Sequence, residues 1–500
     1  MKKSKNPITN VEYTIPDNLD DINGINNFVS KNKNKKIIAV QGLGFVGSVM
    51  SIVCANSKSK DYAVIGIDLP NESNFWKIAS INEGVFPIVA EDKKIEVFFK
   101  KTKKNGNFYA TYDPYAYSLA DIIIVDINLD VEKKLGNDSL LEDFKVNMNP
   151  FKSAIKSIGK NCQKNSLILV ETTVPPGTCE KVVKPIINEE LKKRNLDYRQ
   201  IKIAHSYERV MPGPNYIDSI LNFPRVFSGI DKKSAIAAKV FLKTIINTDE
   251  YPLTELHNTN STEMAKVLEN SYRAMNIAFI VEWTRFAEEA NVNLFEVIDS
   301  IKVRSTHSNM MLPGIGVGGY CLTKDPLLAS WSREKIFSSS KLNQSEEAVI
   351  INDQMPRYAF EFFKLNFHES LKNKIVLFLG VSYRGDIGDT RYTPVEKMYD
   401  FFKNEGAQIL LNDPFVSFWD EKNLKVETSL KKSLQKKFDI IVLCTNHSVY
   451  KSKKLTRELN KIDRKLYLYD TLGALTKNQI DDLKNNVKTL VLGRGDLIEK

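Results

Sequence analysis

No stretch constrains this 500-residue chain more than Lys36-Ile37-Ile38-Ala39-Val40-Gln41 followed by Gly42-Leu43-Gly44-Phe45-Val46-Gly47. The apolar run reads as a buried strand, the glycines as a turn, and the apolar residues to about Cys54 as a helix. The first two glycines permit a tight turn and close approach to a pyrophosphate, and the third lets the helix pack on the strand. The helix N-terminus, at Phe45 and Val46, then offers N–H groups to the phosphates. A second strand over 63–67 ends at Asp68, about twenty residues on. An acid there binds both ribose hydroxyls and disfavours a 2′-phosphate, so the expected cofactor is NAD rather than NADP.

The alternation continues with helices over 75–81 and before Lys100, a strand over 122–125, a helix over 150–158 and a strand over 166–170. Strands separated by helices at this spacing imply a parallel, doubly wound sheet. Loops at the carboxyl ends of such strands hold ligands. Two are singled out here: Glu171-Thr172-Thr173-Val174-Pro175-Pro176-Gly177-Thr178, and His205 to Gly213, which carries Glu208, Arg209 and Val210. A long helical pattern over 260–290 follows, with Asn260 and Glu263 spaced as a capping box. Roughly thirty residues make a rod of about 45 Å, suited to bridging two domains. Its apolar positions, among them Met264, Leu268, Phe279 and Trp283, read as core or dimer surface, while Lys266 and Asn270 share one face. After a helix over 345–363 the pattern restarts, with strands over 375–379, 408–411, 439–444 and 466–469. The fold class is therefore α/β, two Rossmann-like doubly wound domains joined by a long central helix. The expected division is a polar N-terminal extension over 1–34, an NAD-binding domain over 35–255, a central helical region over 256–368 and a second domain over 369–500.

Between the central helix and the restart lies Pro313-Gly314-Ile315-Gly316-Val317-Gly318-Gly319-Tyr320-Cys321-Leu322-Thr323-Lys324-Asp325-Pro326. Read alone, it describes a glycine-rich surface turn with a small buried cysteine. Behind a dinucleotide fold it also describes a thiolate presented to a substrate. Composition narrows the remaining options. The chain is 42% hydrophobic, and its 71 basic against 61 acidic residues give +10 spread over lysine-rich patches that read as solvated faces, with no nucleic-acid surface implied. Five scattered cysteines without a C-x-x-C pair argue for a reducing cytoplasm and against a disulfide framework or structural zinc. The lead lacks a signal peptide's apolar core, and no apolar run approaches the ~18 residues of a membrane span.

Taken together, the Gly42 fingerprint and the stretches 171–178, 208–213, 263–282, 316–326 and 380–394 resemble the UDP-glucose/GDP-mannose dehydrogenase family, over about residues 35 to 495. Glu208-Arg209-Val210-Met211-Pro212-Gly213 and Glu269-Asn270-Ser271-Tyr272-Arg273-Ala274-Met275-Asn276 resemble the branch acting on UDP-N-acetylhexosamines. The resemblance implies a four-electron oxidation of a sugar C6 hydroxyl to a carboxylate by two NAD molecules in succession. It gives Cys321 the nucleophile's role, Lys266 the alkoxide and oxyanion, Asn270 the same oxygen or a water, Asp325 proton transfer or water activation, and Glu171 the hydrolytic water. Cofactor contacts would come from Gly42, Gly44, Phe45, Val46, Gly47, Asp68, Asn128, Thr173 and, across a dimer, Arg391. UDP-sugar contacts would come from Glu208, Arg209, Val210, Gly314, Gly318, Arg384 and a neighbouring subunit's Arg304. A homodimer or higher oligomer built on the central helix is implied, acting in polysaccharide biosynthesis.

Three positions depart from the family pattern. Val125-Asp126-Ile127-Asn128 stands where a Pro-Thr-Pro-like loop is usual, Tyr207 replaces a proline, and Tyr320 a histidine. The competing expectations are a UDP-glucose 6-dehydrogenase, a two-electron hydroxy-acid or sugar dehydrogenase that needs no cysteine, and a non-catalytic NAD-binding scaffold.

Overall fold

The computed structural model describes residues 2–88, 91–136, 141–210, 213–483 and 486–498. The chain forms two compact units, the first made of residues 1–131, 146–267 and 331–340, the second of 132–145, 268–330 and 341–500.

The first unit opens with a short hairpin, β1 (Lys3–Lys5) and β2 (Glu12–Thr14), and a helix, Ile22–Lys31. The polar lead is thus folded. Its polar residues are buried as hydrogen-bonding knots: Ser4 Oγ donates to the Glu72 carbonyl and accepts the Trp76 N–H, and Asn6 Nδ2 donates to Ser80 Oγ. An eight-stranded sheet follows, built from β3 (Lys36–Gln41), β4 (Tyr62–Ile67), β5 (Phe108–Thr111), β6 (Ile122–Val125), β9 (Leu167–Val170), β10 (Lys202–His205), β11 (Arg225–Gly229) and β12 (Leu253–Glu255). The intervening β7 (Val131–Leu135) and β8 (Leu141–Val146) form a separate hairpin. The order across the sheet is β12-β11-β10-β9-β6-β3-β4-β5. All strands from β10 to β5 run parallel, while β11 turns antiparallel to β10. The central strands are buried on both faces, which is why they read as unbroken Ile/Val/Ala/Leu runs rather than as alternation. Strand order reverses between β3 and β6, and this sets a crevice at their carboxyl ends.

The central helix spans Thr259–Glu289, 31 residues. The capping box expected at Asn260 does not form. Asn260 lies inside the helix with its Nδ2 on Glu180, and the Glu263 carboxylate accepts the N–H groups of Gly177 (2.6 Å) and Cys179 (2.7 Å) instead. It caps the neighbouring helical segment that starts at Cys179 rather than its own. Leu268, Tyr272, Phe279, Trp283 and Phe286 form an exposed apolar row on the helix, so these positions are not core in the single chain.

In the second unit a long helix, Asn343–Phe367, precedes a five-stranded parallel sheet with the order β14-β13-β17-β18-β19: β13 (Ile375–Leu379), β14 (Gln408–Asn412), β17 (Ile440–Leu443), β18 (Leu466–Asp470) and β19 (Val487–Val491). A small hairpin, β15 (Phe418–Trp419) with β16 (Leu424–Lys425), is inserted after β14. Order reverses between β13 and β17. Phe363, Phe378, Phe402 and Tyr469 fill the core between helix and sheet. The β7–β8 hairpin joins this unit, Lys133 Nζ pairing with Asp353 at 2.9 Å.

Candidate active site: a dinucleotide cradle and a cysteine loop

In the first unit, the turn after β3 takes the form the glycines require. Gly42 has φ +99°, and a Cβ there would lie 2.3 Å from the Asp126 carbonyl oxygen; one on Gly47 would lie 1.9 Å from the Gly42 carbonyl. Gly44 faces open space and precedes the helix Phe45–Ala55 as an N-cap residue without a side chain to cap it. Its first-turn N–H groups therefore suit an anion such as a pyrophosphate. Asp68, at the end of β4, accepts the Leu43 N–H at 3.0 Å and the Leu69 N–H at 2.7 Å, and Lys77 stands 3.6 Å away. Turn, helix end and acid together fit a dinucleotide.

Across the crevice, Asp126 to Asn128 follow β6 and Glu171 to Thr173 follow β9. Thr172 Oγ1 ties the two loops, accepting the Ile127 N–H and donating to the Val125 carbonyl. Asn128 is exposed and Thr173 half-buried. Glu171 is fully buried and ion-paired through Oε1 with Arg225, itself 4% exposed. Burial pushes its carboxyl up to about 7, with Arg225 opposing and Glu208 adding to the rise. Buried His205, hydrogen-bonded through Nδ1 to Thr262 Oγ1, is driven down to about 3 chiefly by desolvation, which keeps the ring neutral. Lys266, one helical turn after Glu263, is 8% exposed and donates to the Glu208 carbonyl at 3.0 Å. Glu208 accepts the Val210 N–H, and Arg209 donates to the Pro224 carbonyl and to the Tyr207 hydroxyl. Met211 and Pro212 of this motif lie outside the described residues.

In the second unit, Cys321 is exposed, so its stretch is not a turn around a buried cysteine. Gly319 has φ +79° and a Cβ there would meet the Tyr383 ring at 2.8 Å; one on Gly318 would lie 2.5 Å from the Tyr392 carbonyl. The loop is clamped further back by Asn352, which accepts the Val317 N–H and donates to the Val317 carbonyl. A tight turn follows the cysteine, Asp325 and Lys324 both donating their N–H groups to the Cys321 carbonyl. It brings three further side chains together. Asn270 Nδ2 donates to Asp325 Oδ2 at 2.5 Å, and Lys324 Nζ pairs with Asp325 Oδ1 at 2.7 Å, with Asp325 fully buried and Lys324 8% exposed. Tyr320 leans on Tyr392, with Lys324 Nζ 4.7 Å from its ring centre.

At the switch point between β13 and β17 lies a cleft of about 330 Å³, lined among others by Gly316, Tyr383, Arg384, Asp386 and Asn446. Arg384 is exposed at this cleft, and half-buried Gly314 lies in the same loop as Gly316. Arg391 is not aimed at an outside phosphate here: it forms a two-pronged pair with Asp389, at 2.9 and 2.6 Å. Arg304 is exposed, at the start of a short 3₁₀ turn. In the sequence Lys324, three residues beyond the cysteine, stands out only as part of the Cys321 stretch and Asp126 only within a departing loop, while Asn352 and Arg225 do not stand out. Among the described residues no group of His, Cys, Asp and Glu could hold a metal ion, and no helix is long and apolar enough to cross a membrane.

A nucleotide-binding sheet with a glycine cradle, followed by a second α/β unit whose switch-point cleft adjoins an exposed cysteine loop, defines the class of nucleotide-linked dehydrogenases. Comparison with known proteins gives the family. The NAD binding domain of the UDP-glucose/GDP-mannose dehydrogenase family matches residues 36–246, its central domain 260–354 and its UDP binding domain 377–477. The chain belongs to this family and is an NAD-dependent nucleotide-sugar dehydrogenase. Two curated relatives are UDP-N-acetyl-D-mannosamine dehydrogenases: that of Methanococcus vannielii is 30% identical over 477 residues, 93% of this chain and 98% of its own. That of Methanocaldococcus jannaschii is 29% identical over 475 residues, 93% and 99%. The solved UDP-D-ManNAc dehydrogenase of Pyrococcus horikoshii superposes with a TM-score of 0.74 at 26% identity, covering 92% of this chain and all of the other.

Proposed function

We propose that the chain oxidises the C6 hydroxyl of a UDP-N-acetylhexosamine, UDP-ManNAc or UDP-GlcNAc, to the uronate, supplying a cytoplasmic pool for polysaccharide biosynthesis. The observation that carries this reading is the exposed Cys321 thiol on a turn that also holds Asn270, Asp325 and Lys324. The names of the relatives favour the N-acetylmannosamine epimer. NAD, when bound, takes the hydride in each of two oxidations. Cys321 adds to the aldehyde left by the first; the resulting thiohemiacetal is oxidised to a thioester, and water releases the carboxylate. In balance, one alcohol, two NAD and one water give one carboxylate, two NADH and three protons. Lys266 steadies the alkoxide and oxyanion as a cation, and Asn270 as a hydrogen-bond donor. Asp325 moves the proton, its position set by Lys324, and Glu171 orients the hydrolytic water.

The glycines 42, 44 and 47, with Phe45, Val46, Asp68, Asn128 and Thr173, hold NAD. Glu208 to Val210, Gly314, Gly318 and Arg384 hold the UDP-sugar. Arg391 and Arg304 act across a dimer seated on the exposed face of the central helix, for which Arg391 would have to leave Asp389. On this reading residues 35–255 form the cofactor domain, 256–368 the dimerisation and cysteine region, and 369–500 the UDP-sugar domain. The test is NADH production by purified protein offered UDP-ManNAc, UDP-GlcNAc, UDP-glucose and GDP-mannose in parallel. Turnover with either N-acetylated sugar at least about tenfold above the other two supports the reading. Preference for UDP-glucose or GDP-mannose overturns it.

A further inference from the structure

Asp126 and Glu171 occupy matched places at the carboxyl ends of neighbouring strands. Val125 of β6 is in register with Val170 of β9, and the next residue on each strand is an acid. The two loops are stitched at that level, the Glu171 N–H donating to the Val125 carbonyl at 3.1 Å. One oxygen of Glu171 is engaged by Arg225. The other, Glu171 Oε2, and Asp126 Oδ2 are both sealed from solvent with no hydrogen-bond donor among the described residues. Two orphaned acceptors on acids at matched register positions are what a proton held by the pair would relieve. Two such groups side by side in a dry site do not both ionise.

Among the described residues, none of the charges facing the pair donates to these two oxygens. Arg225, from β11, is shared between Glu171 and Ser206. Glu208, from the loop after β10, adds like charge, and Lys266 of the central helix donates to that residue's carbonyl. His205 is neutral, and the thiol of Cys54, on the helix Phe45–Ala55, is held well above its usual range by burial and by these acids. Burial first, then Glu171 and Glu208, lift Asp126 in the same direction.

The pair also lies on one side of the cofactor crevice. The Asp126 carbonyl oxygen packs on Gly42, and its Cβ lies 3.2 Å from where a Cβ on Gly47 would be. Asp68 marks the adenosine end on β4, so a dinucleotide crossing the switch point extends its nicotinamide half toward β6 and β9. Oxidised nicotinamide carries a positive charge and reduced nicotinamide none. A cation held near the pair would favour its ionised form. We propose that Asp126 and Glu171 share one proton that leaves when NAD+ binds and stays when NADH binds, making the enzyme's preference between the two redox forms pH-dependent.

The test needs no sugar. Dissociation constants for NADH, by its fluorescence, and for NAD+, by competition, are measured at pH 6, 7 and 8 for the wild type and for Asp126→Asn, which keeps the shape and removes one of the two carboxyl groups. Expected is a wild-type ratio Kd(NADH)/Kd(NAD+) that rises by roughly threefold or more from pH 6 to 8, and a clearly smaller rise in Asp126→Asn, where only Glu171 is left to titrate. A flat wild-type ratio, or an equal rise in the variant, overturns the proposal. Should the variant not fold, proton release into weak buffer decides. Release by the wild type on binding NAD+ but not NADH upholds the shared proton, and equal release with both overturns it.

Discussion

The two sheets repeat one corner and use it differently. In the first, Gly42 (φ +99°) donates to the Ile67 carbonyl and the next N–H, from Leu43, meets Asp68 at the end of the second strand. In the second, Gly380 (φ +98°) donates to the Asn412 carbonyl and the next N–H, from Val381, meets Asp413 at the equivalent place. Beyond that the corners part. Asp68 keeps lone pairs available beside the cradle, its neighbours being the Leu69 N–H and Lys77 at 3.6 Å. Asp413 is saturated: the same oxygen takes the N–H and hydroxyl of Ser382 and Nε2 of His447, and the other takes the Phe415 N–H. His447, fully buried, accepts the Asp386 N–H through Nδ1 and so donates to Asp413 through Nε2. One strand-glycine-acid pattern thus leaves an acid with open acceptor positions where the far strand leaves it room. It yields a structural acid, steadying the loop that carries Arg384, where the far strand supplies a histidine.

The sharpest division between the units is chemical. Cys321→Ala is expected to lower NADH production by about a thousandfold or more while NADH affinity in a fluorescence titration stays within about twofold. Equal loss of both would mean that the cysteine loop is not separable from the cradle. Next comes the pair of acids. Asp413→Ala strands several buried donors and should cost about 3 kcal/mol in a denaturant titration. Asp68→Ala should cost under about 1 kcal/mol yet weaken NAD binding by about tenfold or more and narrow the preference over NADP. Similar stability losses in both variants would break the comparison.

The smallest effect is shared by the units. Glu263 and Glu288 lie on the central helix, and burial pushes each up to about 7. Each holds its proton more tightly folded than unfolded. The contribution is therefore fully present below about 4.5, lost as pH rises towards about 7, and level beyond. Relative to Glu263→Gln or Glu288→Gln, wild-type stability should fall by about 2 kcal/mol between pH 5 and 7. A flat difference in either variant would show that this glutamate is ionised at pH 5.

Strands buried on both faces were legible in sequence because mostly apolar residues fill them: β3, β6 and β13 fall on the unbroken apolar runs. The turn at Gly42, with φ +99°, was legible because a tight strand-to-helix turn demands glycine at a particular spacing. The N-terminal hairpin was not, since Ser4 and Asn6 are buried by hydrogen bonds rather than by hydrophobicity. Nor was the true partner of Glu263, because a capping box and a cap given to another helix share one local pattern and differ only in tertiary contact. The roles of Arg225 and Asp126 escaped for the same reason: what matters about each is the carboxylate on an adjacent strand or loop, far away in sequence.

The central claim, a four-electron oxidation through Cys321, is tested most directly by counting NADH formed per molecule of limiting UDP-ManNAc or UDP-GlcNAc carried to completion. Two NADH and a uronate product are expected. One NADH per sugar, with an aldehyde or ketone as product, would contradict it.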